Sequence, residues 1–80
     1  MRTDKYLKVS RLIKRRTVAN EACEQGRVLL NGKTAKPAAE VKTGDILELK
    51  LGERSIRVEV IVVLEHTMKG DAAAMYKVLQ

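Results

Sequence analysis

The side chains of this chain that could do chemistry fall into two unequal groups. One is a set of isolated reactive residues: Cys23, His66 and the carboxylate of Gly44-Asp45. The other is a crowd of cations, Lys8, Arg11, Lys14, Arg15 and Arg16, in and just before the stretch VSRLIKRRT. His66 is the single histidine, and neither a serine or cysteine nucleophile motif nor an acidic partner surrounds it, so a triad is disfavoured and an exposed loop histidine is expected. Cys23 and His66 are too few ligands for zinc, and Cys23 falls on the apolar side of a helical pattern, where a thiol reads as core. A Gly-Asp pair directly before an apolar strand is turn chemistry. No phosphate-loop or dinucleotide glycine pattern is present. These readings predict a protein that is not an enzyme, with no catalytic residue, no metal and no cofactor.

The cations are harder to dismiss. Neighbouring like charges repel, so a cluster this dense opposes the fold that carries it unless something outside the chain compensates. The net charge of +6 is also unevenly placed. Residues 1–36 hold ten Lys or Arg against three acids, whereas residues 37–80 hold six against seven. All of the excess lies in the first half, as expected of a footprint for a polyanion.

Eighty residues predict one domain, 1–80, with room for one small core. With no Trp, no Phe and only Tyr6 and Tyr76 as aromatics, aliphatic residues must fill that core. The single cysteine and an N-terminus without the apolar run of a signal peptide make a reducing, cytoplasmic setting the expectation. The longest apolar run, VIVVL, is far too short to span a bilayer.

Thr3 and Asp4 precede Tyr6, Val9 and Ile13 at helical spacing, so a helix should start near Thr3. Periodicity leaves open whether it runs through Lys14 or breaks near Ser10. Thr17 is a good N-cap for a second helix with Val18, Ala19, Ala22 and Cys23 on its apolar side, ending before Gly26. Asn31-Gly32 predicts a tight hairpin. After a turn at Gly44-Asp45, a strand places Leu47, Leu49 and Leu51 on one face, and a second places Ile56, Val58, Val60, Val62 and Leu64 likewise. Asp71 should cap a brief turn over residues 72–74, and MYKVL should add a last strand. The expected fold class is α+β, two short N-terminal helices packed on a small, mostly antiparallel sheet.

A membrane-binding helix needs apolar residues opposite its charges, and here the core needs them, so membrane binding is disfavoured. DNA reading by the second helix is disfavoured by Glu21 and Glu24 on its polar side. Two tyrosines cannot build the stacking platform that single-stranded RNA binders use. Structured RNA remains, held through phosphates and 2′-hydroxyls by Lys5, Lys8, Arg11, Lys14, Arg15, Arg16 and, beyond the hairpin, Lys33 and Lys36.

The segment from Arg2 to Leu49 closely resembles the S4 RNA-binding domain, also called the alpha-L motif. The matching marks are Arg2, Asp4, Lys5 and Leu7, then Ser10-Arg11, Thr17, Gly26 and Val28, Asn31-Gly32, and Val41 with Gly44-Asp45. The resemblance implies an S4-like fold, with the core motif over residues 1–51 and C-terminal strands over residues 55–80. Among stand-alone copies of this domain, the chain is most similar to those of bacterial ribosome-associated quality control. That implies a monomeric, ribosome-associated factor on large subunits obstructed by peptidyl-tRNA. Its partners would be large-subunit rRNA, the P-site tRNA and an RqcH-type tailing factor that adds C-terminal alanine. Carried over by motif, Arg2 and Arg16 are the principal RNA contacts, with Arg11, Lys14 and Arg15 beside them. Asp4 would orient an arginine or touch the partner factor. Position 3 departs from the family, which more often has Leu where Thr3 stands; this is expected to weaken one packing contact and to leave the RNA reading intact. A general rRNA-binding or ribosome-assembly protein and a basic protein-interaction module stay open as alternatives, and whether Lys69-Gly70 contributes is left undecided.

Overall fold

The first helix, α1 (Thr3–Val9), begins where its free amides find acceptors. The Thr3 amide donates to the Ala39 carbonyl at 2.9 Å and the Asp4 amide to the Pro37 carbonyl at 3.2 Å, while the Lys5 amide is taken by the Asp4 carboxylate at 2.7 Å. Of the donors that a helix start leaves open, two are thus satisfied by a segment far along the chain and one by the helix's own first-turn carboxylate. Thr3 is fully buried, and its hydroxyl donates to the same Ala39 carbonyl at 2.7 Å. At the position where a weaker packing contact is expected, the buried threonine adds a side-chain hydrogen bond. The computed structural model that shows this arrangement describes residues 1–65 and 71–79. His66, Lys69 and Gly70 lie outside the described residues.

α1 ends at Ser10, and Arg11 takes the left-handed conformation with φ of 64°. The question that periodicity left open is settled by this turn: Ile13 reaches the core from beyond the helix, its amide donating to the Leu7 carbonyl at 3.1 Å. The second helix, α2 (Arg16–Glu24), starts one residue before the expected cap. Arg15 occupies the N-cap position without a side-chain bond, and Thr17 stands exposed within the first turn. Ala19 and Cys23 face the core as expected, and the chain leaves α2 through Gly26 at φ of 74°. Val18 does not follow the pattern; it is 48% exposed.

Strands β1 (Val28–Leu30), β2 (Lys33–Thr34), β3 (Ile46–Leu51), β4 (Arg54–Val60) and β5 (Tyr76–Val78) form one sheet in the order β2-β1-β3-β4-β5. All of these neighbours pair antiparallel. Asn31 and Gly32, at φ of 52° and 85°, supply the left-handed pair that a two-residue hairpin requires. The Asp45 carboxylate accepts from the Lys42 amide at 2.8 Å and from the Asn31 side chain at 3.2 Å, which is the turn role read from the sequence. Val28, Leu47, Leu49, Val58 and Val60 form the buried face under Tyr6 and Leu7 of α1 and Ala19 and Cys23 of α2. Leu51, expected on that face, is 49% exposed at the end of β3. β4 ends at Val60, short of the expected Leu64, and Val62 packs on the core from irregular chain.

A 3₁₀ turn (Ala72–Met75) precedes β5, with Asp71 at its N-cap position but without a side-chain bond. The buried Tyr6 hydroxyl donates to the Met75 carbonyl at 2.8 Å and so ties α1 to this last segment. Tyr6→Phe leaves that carbonyl without its side-chain donor and is expected to cost about 1–2 kcal/mol of stability, read by urea unfolding, with the sheet retained.

Candidate nucleic-acid interface

The start of α1 and the start of α2 meet at one carboxylate. Asp4 is 2% exposed, yet four groups that favour its ionised form converge on it. Arg2 donates through Nε to Oδ1 at 3.1 Å and through a terminal nitrogen to Oδ2 at 3.2 Å. The Lys5 amide donates to Oδ1, Asn20 Nδ2 donates to Oδ2 at 3.3 Å, and Arg16 Nε stands 3.6 Å from Oδ2. Burial pushes the Asp4 carboxyl up, but the Asn20 amide, the Arg16 charge, the Arg2 guanidinium and the Lys5 amide together outweigh it and hold it below the usual carboxylate value.

The two guanidiniums remain half exposed, Arg2 at 50% and Arg16 at 48% of their side chains. A buried anion therefore holds two cations at the surface, Arg2 by two hydrogen bonds and Arg16 by an ion pair, and among the described residues their outward N–H groups have no other acceptor and can take one such as a phosphate oxygen. Between them lies a cleft of about 450 Å³, also lined by Thr17, Asn20 and Glu21.

α2 positions this corner by its register. Starting at Arg16, it places Arg16 and Asn20 one turn apart on the flank that faces Asp4, a geometry that a helix starting at Thr17 would not give. Asn20 is the residue that the sequence reading missed. Its trace was an asparagine inside a helix, four residues after Arg16, where its short amide usually competes with the backbone.

The other cations divide by position. Lys5 forms an ion pair with Glu65. Lys8, Arg11, Lys14 and Arg15 are exposed and make no ion pair among the described residues. Lys36 is carried toward the start of α1 by the neighbouring Pro37, whose carbonyl caps Asp4, whereas Lys33 stays on the edge strand β2. Cys23 is buried, and burial, Asp4 and Glu24 push its thiol up to about 11, the state of an unreactive core cysteine. Among the described residues, no helix is long and apolar enough to cross a membrane.

Arg11 is a bulky residue in a conformation that glycine adopts at little cost. Arg11→Gly is expected to raise stability by about 0.5–1 kcal/mol and the thermal midpoint by a few degrees, measured by thermal unfolding.

Two arginines braced by a buried carboxylate, on a helix pair laid over a small antiparallel sheet, define an α+β module of the S4 type. The chain belongs to the S4 domain family, whose model matches residues 1–47, from α1 into β3. The relatives narrow this further. The chain is 51% identical to the RQC P-site tRNA stabilizing factor of Halalkalibacterium halodurans, over 98% of this chain and 89% of the relative. It is 50% identical to the protein of the same name in Listeria innocua, over 100% of this chain and 87% of the relative. Among solved structures, Vibrio cholerae Heat Shock Protein 15, described as trimeric, superposes with a TM-score of 0.90 at 28% identity, over 98% of this chain and 80% of that chain.

Proposed function

We propose that this protein binds large ribosomal subunits obstructed by peptidyl-tRNA and holds the P-site tRNA there, as a non-enzymatic factor of ribosome-associated quality control. The observation that carries the reading is the Asp4-braced pair Arg2 and Arg16, a preorganised phosphate clamp, in a chain about half identical over its length to P-site tRNA stabilizing factors. Binding and positioning, with no bond made or broken, is all that this geometry has to supply.

In this reading residues 1–80 act as one RNA-binding unit, and the protein works in the cytoplasm on the ribosome as a monomer. Arg2 and Arg16 hold phosphates of tRNA and rRNA, Asp4 orients both, and Lys8, Arg11, Lys14, Arg15, Lys33 and Lys36 extend the contact. Lys5 joins them by exchanging Glu65 for a phosphate. An RqcH-type factor adds alanine to the nascent chain while the tRNA is held. Arg11→Gly then has a second expected effect: RNA binding weakens although the fold becomes more stable.

Gradient co-sedimentation tests the reading, with empty large subunits compared with subunits that carry peptidyl-tRNA. Enrichment on the obstructed subunits is expected. Equal binding to both would make this a general rRNA-binding or assembly protein, and no binding to either would leave a basic protein-interaction module.

A further inference from the structure

α2 has a second flank that shares only Glu21 with the Arg2–Arg16 corner. Val18 and Ala22 lie there, and with Leu12, Ile13 and the end of β3 at Leu51 they floor an apolar groove of about 280 Å³. Val18 and Leu51 are among the large apolar side chains that this fold leaves exposed, and they line the same groove.

Its rim is cationic on one side. Arg27 and Lys50 both line it, both are exposed, and neither makes an ion pair among the described residues. They are also neighbours across the sheet: the Lys50 amide donates to the Arg27 carbonyl at 2.8 Å, one step beyond the Val28–Leu49 pair. Like charges side by side on adjacent strands oppose the sheet, and exposed aliphatic side chains oppose solubility. Both penalties fall on one patch, and one kind of ligand relieves both.

We infer that this groove docks a protein segment that presents aliphatic side chains beside carboxylates. The apolar floor takes the aliphatic groups, and Arg27 and Lys50 take the carboxylates. Glu21, on the remaining rim, adds one negative charge that favours a lysine or arginine at that end of the segment. A second copy of this chain is a poor occupant, because each copy carries a net charge of +6. RNA is a poor occupant as well, since the aliphatic floor offers no hydrogen bond to a phosphate or 2′-hydroxyl and the Glu21 carboxylate repels a phosphate. Glu21 lines both clefts, so the two adjoin on α2, but their linings otherwise use different residues, which is the basis for expecting the protein segment and the RNA to be held at the same time. The inference does not depend on which RNA the arginine corner holds.

The test uses the whole protein with labelled methyl groups and three probes: a synthetic helical peptide of leucines and glutamates, its lysine counterpart, and a structured RNA hairpin. The acidic peptide is expected to shift the methyls of Val18, Leu51, Leu12 and Ala22, and the lysine peptide to bind at least about tenfold more weakly. The double charge reversal Arg27→Glu with Lys50→Glu should invert that preference. The hairpin should leave these methyls in place and bind together with the acidic peptide. Shifts by the acidic peptide only around Arg2 and Arg16, equal binding of both peptides, or displacement of the peptide by RNA would each overturn the inference. Failure of the hairpin to bind, with the peptide still in the groove, would count against the RNA reading alone.

Discussion

Asp4→Asn is expected to destabilise the protein by about 2–3 kcal/mol and to weaken RNA binding at the same time, although the side chain itself does not reach the surface. The substitution keeps the shape and removes the charge. An amide oxygen can still accept from the Lys5 amide, but the new NH₂ group faces the Arg2 or Arg16 guanidinium and the Asn20 amide, donor against donor. The two arginines are half exposed, which limits the Coulomb share of the loss, and most of the cost lies in the broken hydrogen bonds around a buried group. The pH dependence carries a definite sign. Asp4 has a folded pKa below its unfolded value, so the stability it contributes is present in full above about pH 4 and is lost as pH falls through the folded pKa. The stability gap between wild type and Asp4→Asn should therefore be widest at neutral pH and narrow in acid, measured by urea unfolding across the acid range. A gap that is independent of pH would assign the cost to packing.

The parts of this fold legible in the sequence are those fixed by local backbone chemistry. Asn31-Gly32 could only be a left-handed hairpin pair, Gly26 only a helix stop, and the alternation through Leu47 and Leu49 only a half-buried strand. The parts that were not legible depend on residues distant in the chain. Thr17 is a better cap than Arg15 by intrinsic preference, yet α2 begins at Arg16, where the guanidinium meets Asp4. Arg11 turns the chain without a glycine to mark it. Asn20 was legible only as a weak helix former, and its place on Asp4 required α1 and α2 to be packed together.

The same division explains the site. Charge density located the cationic half, because like charges at close spacing are visible in the sequence itself. It did not separate cations held in place from cations left loose. That distinction comes from Asp4, which organises Arg2 and Arg16 and leaves Lys8, Lys14 and Arg15 to the solvent. It also gives these residues different expected roles in binding: the braced pair sets position, and the loose ones set the long-range field.

Arg16→Gln is the substitution that best separates these roles, and it is expected to weaken binding to obstructed large subunits by about ten- to hundredfold. One charge-assisted contact to phosphate is worth about 1.5–3 kcal/mol, and each 1.4 kcal/mol is a factor of ten. Glutamine is preferable to glutamate here, because glutamate would set a second carboxylate beside Asp4, only 3.6 Å from where the Arg16 Nε stands, and would confuse a loss of fold with a loss of binding. With glutamine, Arg2, Asn20 and the Lys5 amide still satisfy Asp4, so the thermal midpoint should fall by only a few degrees. The salt dependence supplies the second readout. Removing one phosphate contact should flatten the slope of log affinity against log salt by about one unit, as counterion release requires. The comparison that carries weight is with Lys14→Gln, which removes the same charge from an unbraced position. That variant should lose affinity mainly at low salt, where the long-range field is unscreened, whereas Arg16→Gln should lose it at every salt concentration. Equal losses for the two variants would mean that the Asp4 brace does not matter for binding and that the corner acts only through its net charge.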